Sequence, residues 1–211
     1  MALDKSNSSL WVKVVIGIVA ASFVLSLIPS VFGSGGASNT AQQPAATTGA
    51  TGVAAINAQY QPRVDAAEAV LKNDPNNREL LVSQGNSYFD WALEVRNASP
   101  DDPSVSEPIW TAATKYYERA LKIKGDDPAV LTDKAISHYY AGDPITASAF
   151  AEKALKIDPK FAPALFNGGI FYKDTSKPAQ ALDLLQRYLV ADPNGTYGDR
   201  AQAQAWVKEL Q

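Results

Sequence analysis

The feature that most constrains the fold is a phrase of eight residues that occurs four times along the chain. Copies begin at Val70, Ala120, Ala154 and Tyr188, and the third reads Ala-Leu-Lys-Ile-Asp-Pro-Lys-Phe. The last three copies begin 34 residues apart, whereas the first lies 50 residues before the second, which is one period plus 16 residues. Each copy reads as the last turn of a helix, stopped by Asp-Pro or Gly-Asp, because Pro cannot continue a helix. A fixed period of this length predicts a solenoid of stacked helical units.

The composition excludes several classes of protein. The 211 residues carry a formal net charge of −3, which argues against a general nucleic-acid binder, since such a protein needs a basic patch to neutralise phosphates. The chain contains no Cys, so disulfides and thiolate metal sites are excluded. The fold must therefore be held together by packing alone.

One strongly apolar segment lies near the N-terminus. Residues 14–32 are 19 residues without a charge, and as a helix they would span about 28 Å, close to the hydrocarbon thickness of a bilayer. Lys5 and Lys13 precede this segment and the next basic residue is Arg63, so the positive-inside rule places residues 1–13 in the cytoplasm and the remainder outside. We expect an uncleaved signal anchor, and hence a single-pass protein of the cell membrane. The alternative is a cleaved signal peptide.

The segment that follows, residues 33–58, is low in complexity. It is rich in Gly, Ser, Ala, Thr and Gln, has no charge and shows no apolar periodicity. Such a stretch cannot bury enough surface to offset its conformational entropy. We expect a flexible linker between the membrane helix and a folded domain at residues 59–211.

The folded domain is predicted to consist of helix pairs. Its first helix begins near Pro62 and has no partner upstream, so it reads as an N-terminal capping helix. Two later pairs are broken at 141–144 and 175–178, and a last helix at 198–210 closes the final apolar face. The predicted pairs are about 78–124, 128–157 and 162–191. We therefore expect an all-α solenoid of three helix pairs with N- and C-terminal capping helices, preceded by a single N-terminal transmembrane helix.

The extra 16 residues of the first pair fall between its two helices, at 93–108. Residues 93–96 are expected to add a turn to the first helix, and residues 97–108 are too rich in Pro, Ser and Asp to continue it. Long ordered loops in compact domains are often functional, and the alternative is a tolerated surface insertion. In either case, replacement of residues 95–106 by a short turn is expected to leave the helical fold intact.

The period and the residues within it resemble the tetratricopeptide-repeat (TPR) family. The shared pattern is a small residue midway along the first helix, an aromatic residue three positions later, then Ala-x6-Ala-Leu and Pro. The residues that carry it are Gly85, Tyr88, Ala113, Ala120 and Leu121; Ala135, Ala147, Ala154, Leu155 and Pro159; and Gly169, Tyr172, Ala181, Leu189 and Pro193. Two positions depart from it, since His138 stands where the aromatic residue belongs and Tyr188 replaces a small Ala. The resemblance covers residues 62–211 and implies helices that approach closely at the small residues.

The resemblance also implies that the first helix of each pair lines a groove that binds a peptide or a protein partner. Several side chains expected to face this groove are large and apolar, and exposed aromatic side chains that cluster in a groove favour binding. The alternative is that the insertion or the linker packs over them. The expected groove residues are Val82, Asn86, Phe89, Asp90, Thr132, Ile136, Tyr139, Tyr140, Phe166, Ile170, Lys173 and Asp174.

Some TPR proteins bind the C-terminal carboxylate of a chaperone with a clamp of basic and Asn side chains. In this chain Val82, Asp133 and Pro163 occupy positions where that clamp would need Lys or Asn. A cytosolic chaperone adaptor is therefore disfavoured, and the resemblance does not name the partner.

Catalytic chemistry has little support in the sequence. The single histidine, His138, falls at an interior position of a predicted helix, which favours a structural role. The Asp pairs at 101–102 and 126–127 lack the alternating carboxylates of a calcium loop. No phosphate-binding loop, paired-histidine metal motif or Ser nucleophile elbow occurs. We therefore expect no enzyme activity, no metal and no cofactor.

Together these features predict a membrane-anchored scaffold for protein–protein interaction, whose groove binds a peptide or a partner subunit outside the cytoplasmic membrane. The alternative is a structural accessory subunit of a larger membrane complex, in which the apolar helix packs against other spans. Small residues in that helix would allow such close approach. They are Gly17, Ala20, Ala21 and Ser22.

Overall fold

The computed structural model describes residues 48–211. Between those residues the chain forms eight α-helices, one 3₁₀ turn at Pro103–Val105 and no β-strand. The helices are α1 Thr48–Asn73, α2 Arg78–Ala98, α3 Glu107–Ile123, α4 Pro128–Tyr140, α5 Pro144–Ile157, α6 Ala162–Asp174, α7 Pro178–Ala191 and α8 Arg200–Glu209. Helices α2–α3, α4–α5 and α6–α7 pack as three successive pairs, with α1 against the first and α8 against the last. The expected all-α solenoid with a capping helix at each end is therefore confirmed for this part of the chain.

Short polar and proline-containing turns separate the helices. Pro128, Pro144 and Pro178 each form the first residue of a helix, where the N–H that proline lacks would have no partner within the helix. Asp127 and Asp143 cap α4 and α5, because their carboxylates accept hydrogen bonds from backbone N–H groups of the first turn. These residues fix where each helix of the array begins.

Small residues set the distance between the helices of a pair. A Cβ atom added to Gly85 would lie 2.6 Å from the ring of Tyr117, and one added to Gly169 would lie 2.7 Å from the side chain of Leu185. Atoms that are not bonded do not approach so closely, so α2 packs on α3, and α6 on α7, only because no side chain intervenes. The corresponding residue of the middle pair is Ala135, which is fully buried. The close contacts implied by the repeat pattern are therefore present.

The first helix is longer than the sequence predicted. It begins at Thr48, so residues 48–58, which were expected to belong to the flexible linker, are helical. Pro62, which was expected in the first turn, lies inside the helix. A proline in a helix interior removes one hydrogen bond and costs about 3 kcal/mol. Packing elsewhere along α1 must offset that cost.

The packing that stabilises α1 is against the second half of α2. Tyr60 and Val64 of α1 are buried with Trp91 and Val95 of α2 in one apolar cluster. The rings of Tyr60 and Trp91 are nearly parallel, with their centroids 6.1 Å apart. The N-terminal half of α1 is thus part of the folded domain.

Much of the predicted insertion is also helical. Helices α2 and α3 both take residues from it, so the connection between them shrinks from the predicted 97–108 to 99–106. Leu93 and Val95 are buried, the latter completely. The expected extra turn of α2 at residues 93–96 is therefore confirmed. The expectation that the insertion is peripheral to the solenoid is wrong for Leu93 and Val95, which pack into the core.

The segments on the N-terminal side of the solenoid lie outside the described residues. They are the predicted cytoplasmic residues 1–13, the transmembrane helix at 14–32 and most of the linker at 33–58. Of the helices α1 to α8, none is both long enough and apolar enough to cross a bilayer. The membrane anchor therefore stays a prediction.

Candidate functional site

The face shared by α2, α4 and α6 carries a depression of about 510 Å³, called here the α2–α4–α6 depression. Its walls come from the N-terminal halves of these three helices and from the turns that precede α4 and α6, and Tyr197 closes one end. Because three successive pairs contribute, the depression exists only when the repeats are stacked. The lining residues are Val82, Asn86, Asp127, Ala129, Val130, Asp133, Asp158, Lys160, Phe161, Ala162, Pro163, Ala191 and Tyr197.

The expected groove residues are divided among three environments. Two of the twelve, Val82 and Asn86, line the depression. Five others are at most 6% exposed, namely Phe89, Asp90, Thr132, Ile136 and Phe166. The expectation that large groove side chains are partly exposed is therefore wrong for Phe89, Ile136 and Phe166.

Phe89 and Ile136 are buried in an apolar cluster that includes Trp110 from the start of α3. The ring of Trp110 meets that of Phe89 edge-on, with the centroids 4.9 Å apart, and stacks on Tyr140 at 5.0 Å. Phe89, Trp110 and Ile136 belong to the same apolar core cluster, which Leu93 of the predicted insertion also joins. This part of the expected groove is therefore core.

Phe166 is covered from the C-terminal side of the array. The ring of Tyr188 lies 4.9 Å from it, and the backbone of Gly198 is so close that an added Cβ would be 2.6 Å from the ring of Phe166. Asp192 holds this loop in place, since its carboxylate accepts a hydrogen bond of 2.7 Å from the backbone N–H of Tyr197. The departure at Tyr188 from the repeat pattern is thus part of a local closure over α6.

The remaining five expected groove residues lie toward the C-terminal ends of α4 and α6. They are Tyr139, Tyr140, Ile170, Lys173 and Asp174. The hydroxyl of Tyr139 donates a hydrogen bond to Asp174, and the guanidinium of Arg96 lies 4.5 Å from the centre of the Tyr140 ring. Lys173 forms an ion pair with a glutamate of α8. Since Arg96 belongs to the predicted insertion, the insertion does cover part of this region.

The carboxylates that line the depression differ in their partners. Asp127 pairs with Arg78 at 2.6 Å, and Asp158 accepts a hydrogen bond from the backbone N–H of Lys160. Asp133 forms no ion pair with the side chains that the structure describes. Burial, with a smaller contribution from the charge of Asp127, raises the pKa of Asp133 to about 7. Asp133 is thus an acidic group of the lining whose charge is not compensated.

A second carboxylate with a raised pKa lies on the same face of α2 as Val82 and Asn86. Asp90 follows Asn86 by one turn and Val82 by two, and it is 6% exposed. Its Oδ1 atom has no hydrogen-bond partner among the described residues. Burial raises the pKa of Asp90 to about 8, against the effect of Arg63, and repulsion from Glu94 and, more weakly, from Asp133 adds to the shift.

Sequence reasoning missed most of this lining. It singles out Asp133 only as a residue unsuited to a carboxylate clamp, and it omits Phe161 and Tyr197. The expected face of α4 is also misplaced along the helix circumference, because Ala129 and Asp133 line the depression while Ile136 is buried. Ala129 and Asp133 are one helical turn apart, and this spacing could have indicated that both lie on the face of α4 that lines the depression.

Metal-binding and histidine chemistry find no site in the described part of the chain. No group of three His, Asp or Glu side chains between residues 48 and 211 is arranged to hold a metal ion. His138 stacks on Phe150 with the ring centroids 5.4 Å apart, and burial lowers its pKa. The imidazole thus packs on one aromatic ring, while its Nδ1 atom lies 3.8 Å from the carboxylate of Asp143.

Comparison with known proteins gives matches by structure but none by sequence. Neither a family model nor a curated protein matches the sequence. Two crystal structures of MamA match the structure with TM-scores of 0.55 and 0.54, at 15% and 16% identity, covering 77% and 73% of this chain and 82% and 88% of theirs. The Arabidopsis OM64 TPR domain matches with a TM-score of 0.50 at 20% identity, over 64% of this chain and 93% of that domain. The chain has the TPR fold. The expected resemblance to TPR proteins is thereby confirmed for residues of the solenoid, and the α2–α4–α6 depression lies on the first helices of its three repeats.

Proposed function

We propose that the chain is a membrane-anchored TPR scaffold that binds a peptide, or an extended segment of a partner protein, in the α2–α4–α6 depression. The observation that carries this proposal is the lining, where apolar side chains such as Val82, Val130 and Phe161 lie beside the charged groups of Asp133 and Lys160. Ligand-binding depressions generally combine apolar walls with a few placed polar groups. A volume of about 510 Å³ lies within the usual range for such sites and suits a few residues of extended peptide.

Binding is favoured over catalysis by the residue types in the depression. The lining contains no His, Ser, Thr or Cys, so it lacks the pairing of a hydroxyl or thiol nucleophile with an imidazole base. Its charged groups are carboxylates and one lysine. Such a set recognises a ligand by charge and shape.

The anchor is the second part of the proposal and rests on the sequence of residues 14–32. Protease added outside intact cells or spheroplasts should digest the TPR domain, while an N-terminal fragment stays in the membrane. Protection of the domain would reverse the proposed topology. A mature N-terminus near Ser34 would instead identify the apolar segment as a cleaved signal peptide.

Binding in the depression is tested by filling it. Ala129→Trp places an indole among the lining residues, and Ala149→Trp places the same group on the exposed face of α5 as a matched control. The full chain is extracted from the producing cells in mild detergent, and the proteins that co-purify are measured by mass spectrometry. We expect Ala129→Trp to remove a partner that Ala149→Trp retains. Retention of every partner by both variants would exclude the depression as the binding site.

A second candidate function, the structural accessory subunit, is favoured by exposed apolar side chains on the second helices of the pairs. Val190 of α7 is 82% exposed and Ile145 of α5 is 72% exposed. Val190 also borders a depression of about 640 Å³, beside Pro159 and Leu165. Exposed apolar surface that is contiguous is typical of protein contacts, and the depression beside Val190 provides such a surface. A stoichiometric complex that survives detergent extraction and is lost in Val190→Asp would favour this function over the scaffold.

A further inference from the structure

We infer, on the basis of the proposed function, that the segment bound in the α2–α4–α6 depression places a basic side chain, Arg or Lys, against Asp133. The partner is then recognised by a positive charge, and not by the terminal carboxylate that a basic clamp would bind.

The charge of the lining points to this chemistry. Asp127 is already neutralised by Arg78, whereas Asp133 forms no ion pair with the described side chains. Lys160, the cation of the lining, is exposed to solvent and forms no such pair with Asp133. An uncompensated carboxylate in a partly desolvated depression attracts a cation more strongly than one at an open surface does.

The shape of the depression suits a long basic side chain. The methylene stem of Arg or Lys can pack against Val82 and Phe161 while its charged end reaches Asp133. A guanidinium offers five N–H donors in a plane, enough to serve both a carboxylate and neighbouring carbonyl oxygens. An acidic segment or a free C-terminal carboxylate would be repelled by Asp133.

The inference is tested at pH 8, above the raised pKa of Asp133, so that this carboxyl is ionised. Two fluorescein-labelled peptides of eight residues are titrated with the full chain in detergent. One peptide alternates Arg with Ala, and the other has Glu in place of Arg. The variants are Asp133→Asn, the charge-conserving Asp133→Glu, and Asp101→Asn in the exposed loop between α2 and α3 as a matched control. We expect the Arg peptide to bind and Asp133→Asn to weaken it about tenfold or more, since a hydrogen bond to a charged group is lost. Asp133→Glu should retain most of the binding, Asp101→Asn should leave it unchanged, and the Glu peptide should not bind.

Several results would overturn the inference. Equal binding by wild type and Asp133→Asn would do so, as would equal weakening by Asp101→Asn, which would indicate general attraction to an acidic protein. If the Arg peptide fails to bind while Ala129→Trp still removes the native partner, the inference of a basic side chain against Asp133 is wrong and the proposed function stands. If Ala129→Trp also leaves that partner bound, both fall. Circular dichroism of each variant establishes that the comparison is made between folded proteins.

Discussion

The indole N–H of Trp91 donates a hydrogen bond to the side-chain oxygen of Asn57, 2.7 Å away. Asn57 belongs to the stretch that the sequence assigns to a flexible linker, whereas Trp91 lies just before the predicted insertion. Nearby, the hydroxyl of Tyr60 donates to the carboxylate of Glu94, also at 2.7 Å. Two features that look like separate irregularities in the sequence are therefore one structural unit, in which lengthened α1 and lengthened α2 pack on each other.

The burial of Val95 predicts that the insertion contributes to stability. Val95→Ala should lower the free energy of unfolding by about 1–3 kcal/mol, because it removes buried methyl groups and leaves a cavity. Val105→Ala, in the same insertion but 38% exposed, is the matched control and should change it by about 0.5 kcal/mol or less. Urea denaturation measures both. Equal effects of the two substitutions would contradict the packing of α2 on α1.

The same unit reverses the expectation for removing the insertion. Replacement of residues 95–106 by a Gly-Asp turn deletes Val95 and the buried Ser106 and uncovers Tyr60 and Trp91. We expect a lower denaturation midpoint and loss of the cooperative unfolding of α1 with the rest of the domain. Hydrogen exchange of α1 amides reports that loss directly. An unchanged midpoint with protected α1 amides would show the segment to be peripheral after all.

The contact at Gly85 predicts opposite effects for two glycine substitutions. Gly85→Ala places a methyl group 2.6 Å from the ring of Tyr117, which is fully buried and donates a hydrogen bond to Asn86, so the substitution should destabilise the domain by about 1–3 kcal/mol. Gly52→Ala, within α1, has its nearest contact at 4.0 Å and should be neutral or stabilise by up to about 1 kcal/mol. Thermal unfolding separates the two. If both substitutions stabilised the domain, α2 and α3 could not be packed as closely as the Gly85–Tyr117 contact indicates.

The raised pKa of Asp133 predicts a pH-dependent cost to folding. The folded state keeps this proton up to about pH 7, whereas an unperturbed Asp loses it near pH 4. Between these values the folded state binds more protons than the unfolded state, so stability falls as the pH rises and the loss is complete above about pH 7. Asp133→Asn removes the free-energy cost of ionising this side chain in the folded state. It should raise the free energy of unfolding by on the order of 1–3 kcal/mol at pH 8 and change it little at pH 4.

Urea denaturation of wild type and Asp133→Asn across this pH range provides the measurement. A difference that stays constant from pH 4 to pH 8 would contradict the raised pKa of the partly buried Asp133. The expected gain in stability, together with loss of binding to the Arg peptide, is the pattern of a residue kept for recognition at a cost to the fold.

Much of the fold could be predicted because its signals are local. The repeated phrase, the prolines at helix starts and the small residues at 34-residue spacing located α4 to α7 to within a residue or two. The start of α1 was missed because Pro62 suggested a first turn and the Gly- and Thr-rich residues before it suggested a linker. A stripe was nevertheless present, since Val53, Ile56, Tyr60 and Val64 lie on one face and pack toward α2.

The candidate site was less predictable, because exposure depends on what neighbouring elements cover. Phe89 and Phe166 have the residue types of a binding surface, yet Trp110 and the Gly198 loop bury them. The positions of Phe89 and Phe166 within a repeat do not show that Trp110 and the Gly198 loop will bury them. The surface that stays uncovered lies at the starts of α4 and α6, where Ala129 and Phe161 line the depression. These two residues are brought together only by the stacking of the repeats, which the sequence of one repeat does not show.

The central claim, that a partner binds in the α2–α4–α6 depression, is tested most directly by site-specific photo-cross-linking in the producing cells. A benzophenone amino acid is placed at Val82, inside the depression, and separately at Gln186, on the exposed side of α7. We predict a discrete cross-linked partner from Val82 that disappears when Ala129→Trp is added, and no such partner from Gln186. A partner captured from Gln186 alone, or capture from Val82 that persists with Ala129→Trp, would contradict the account.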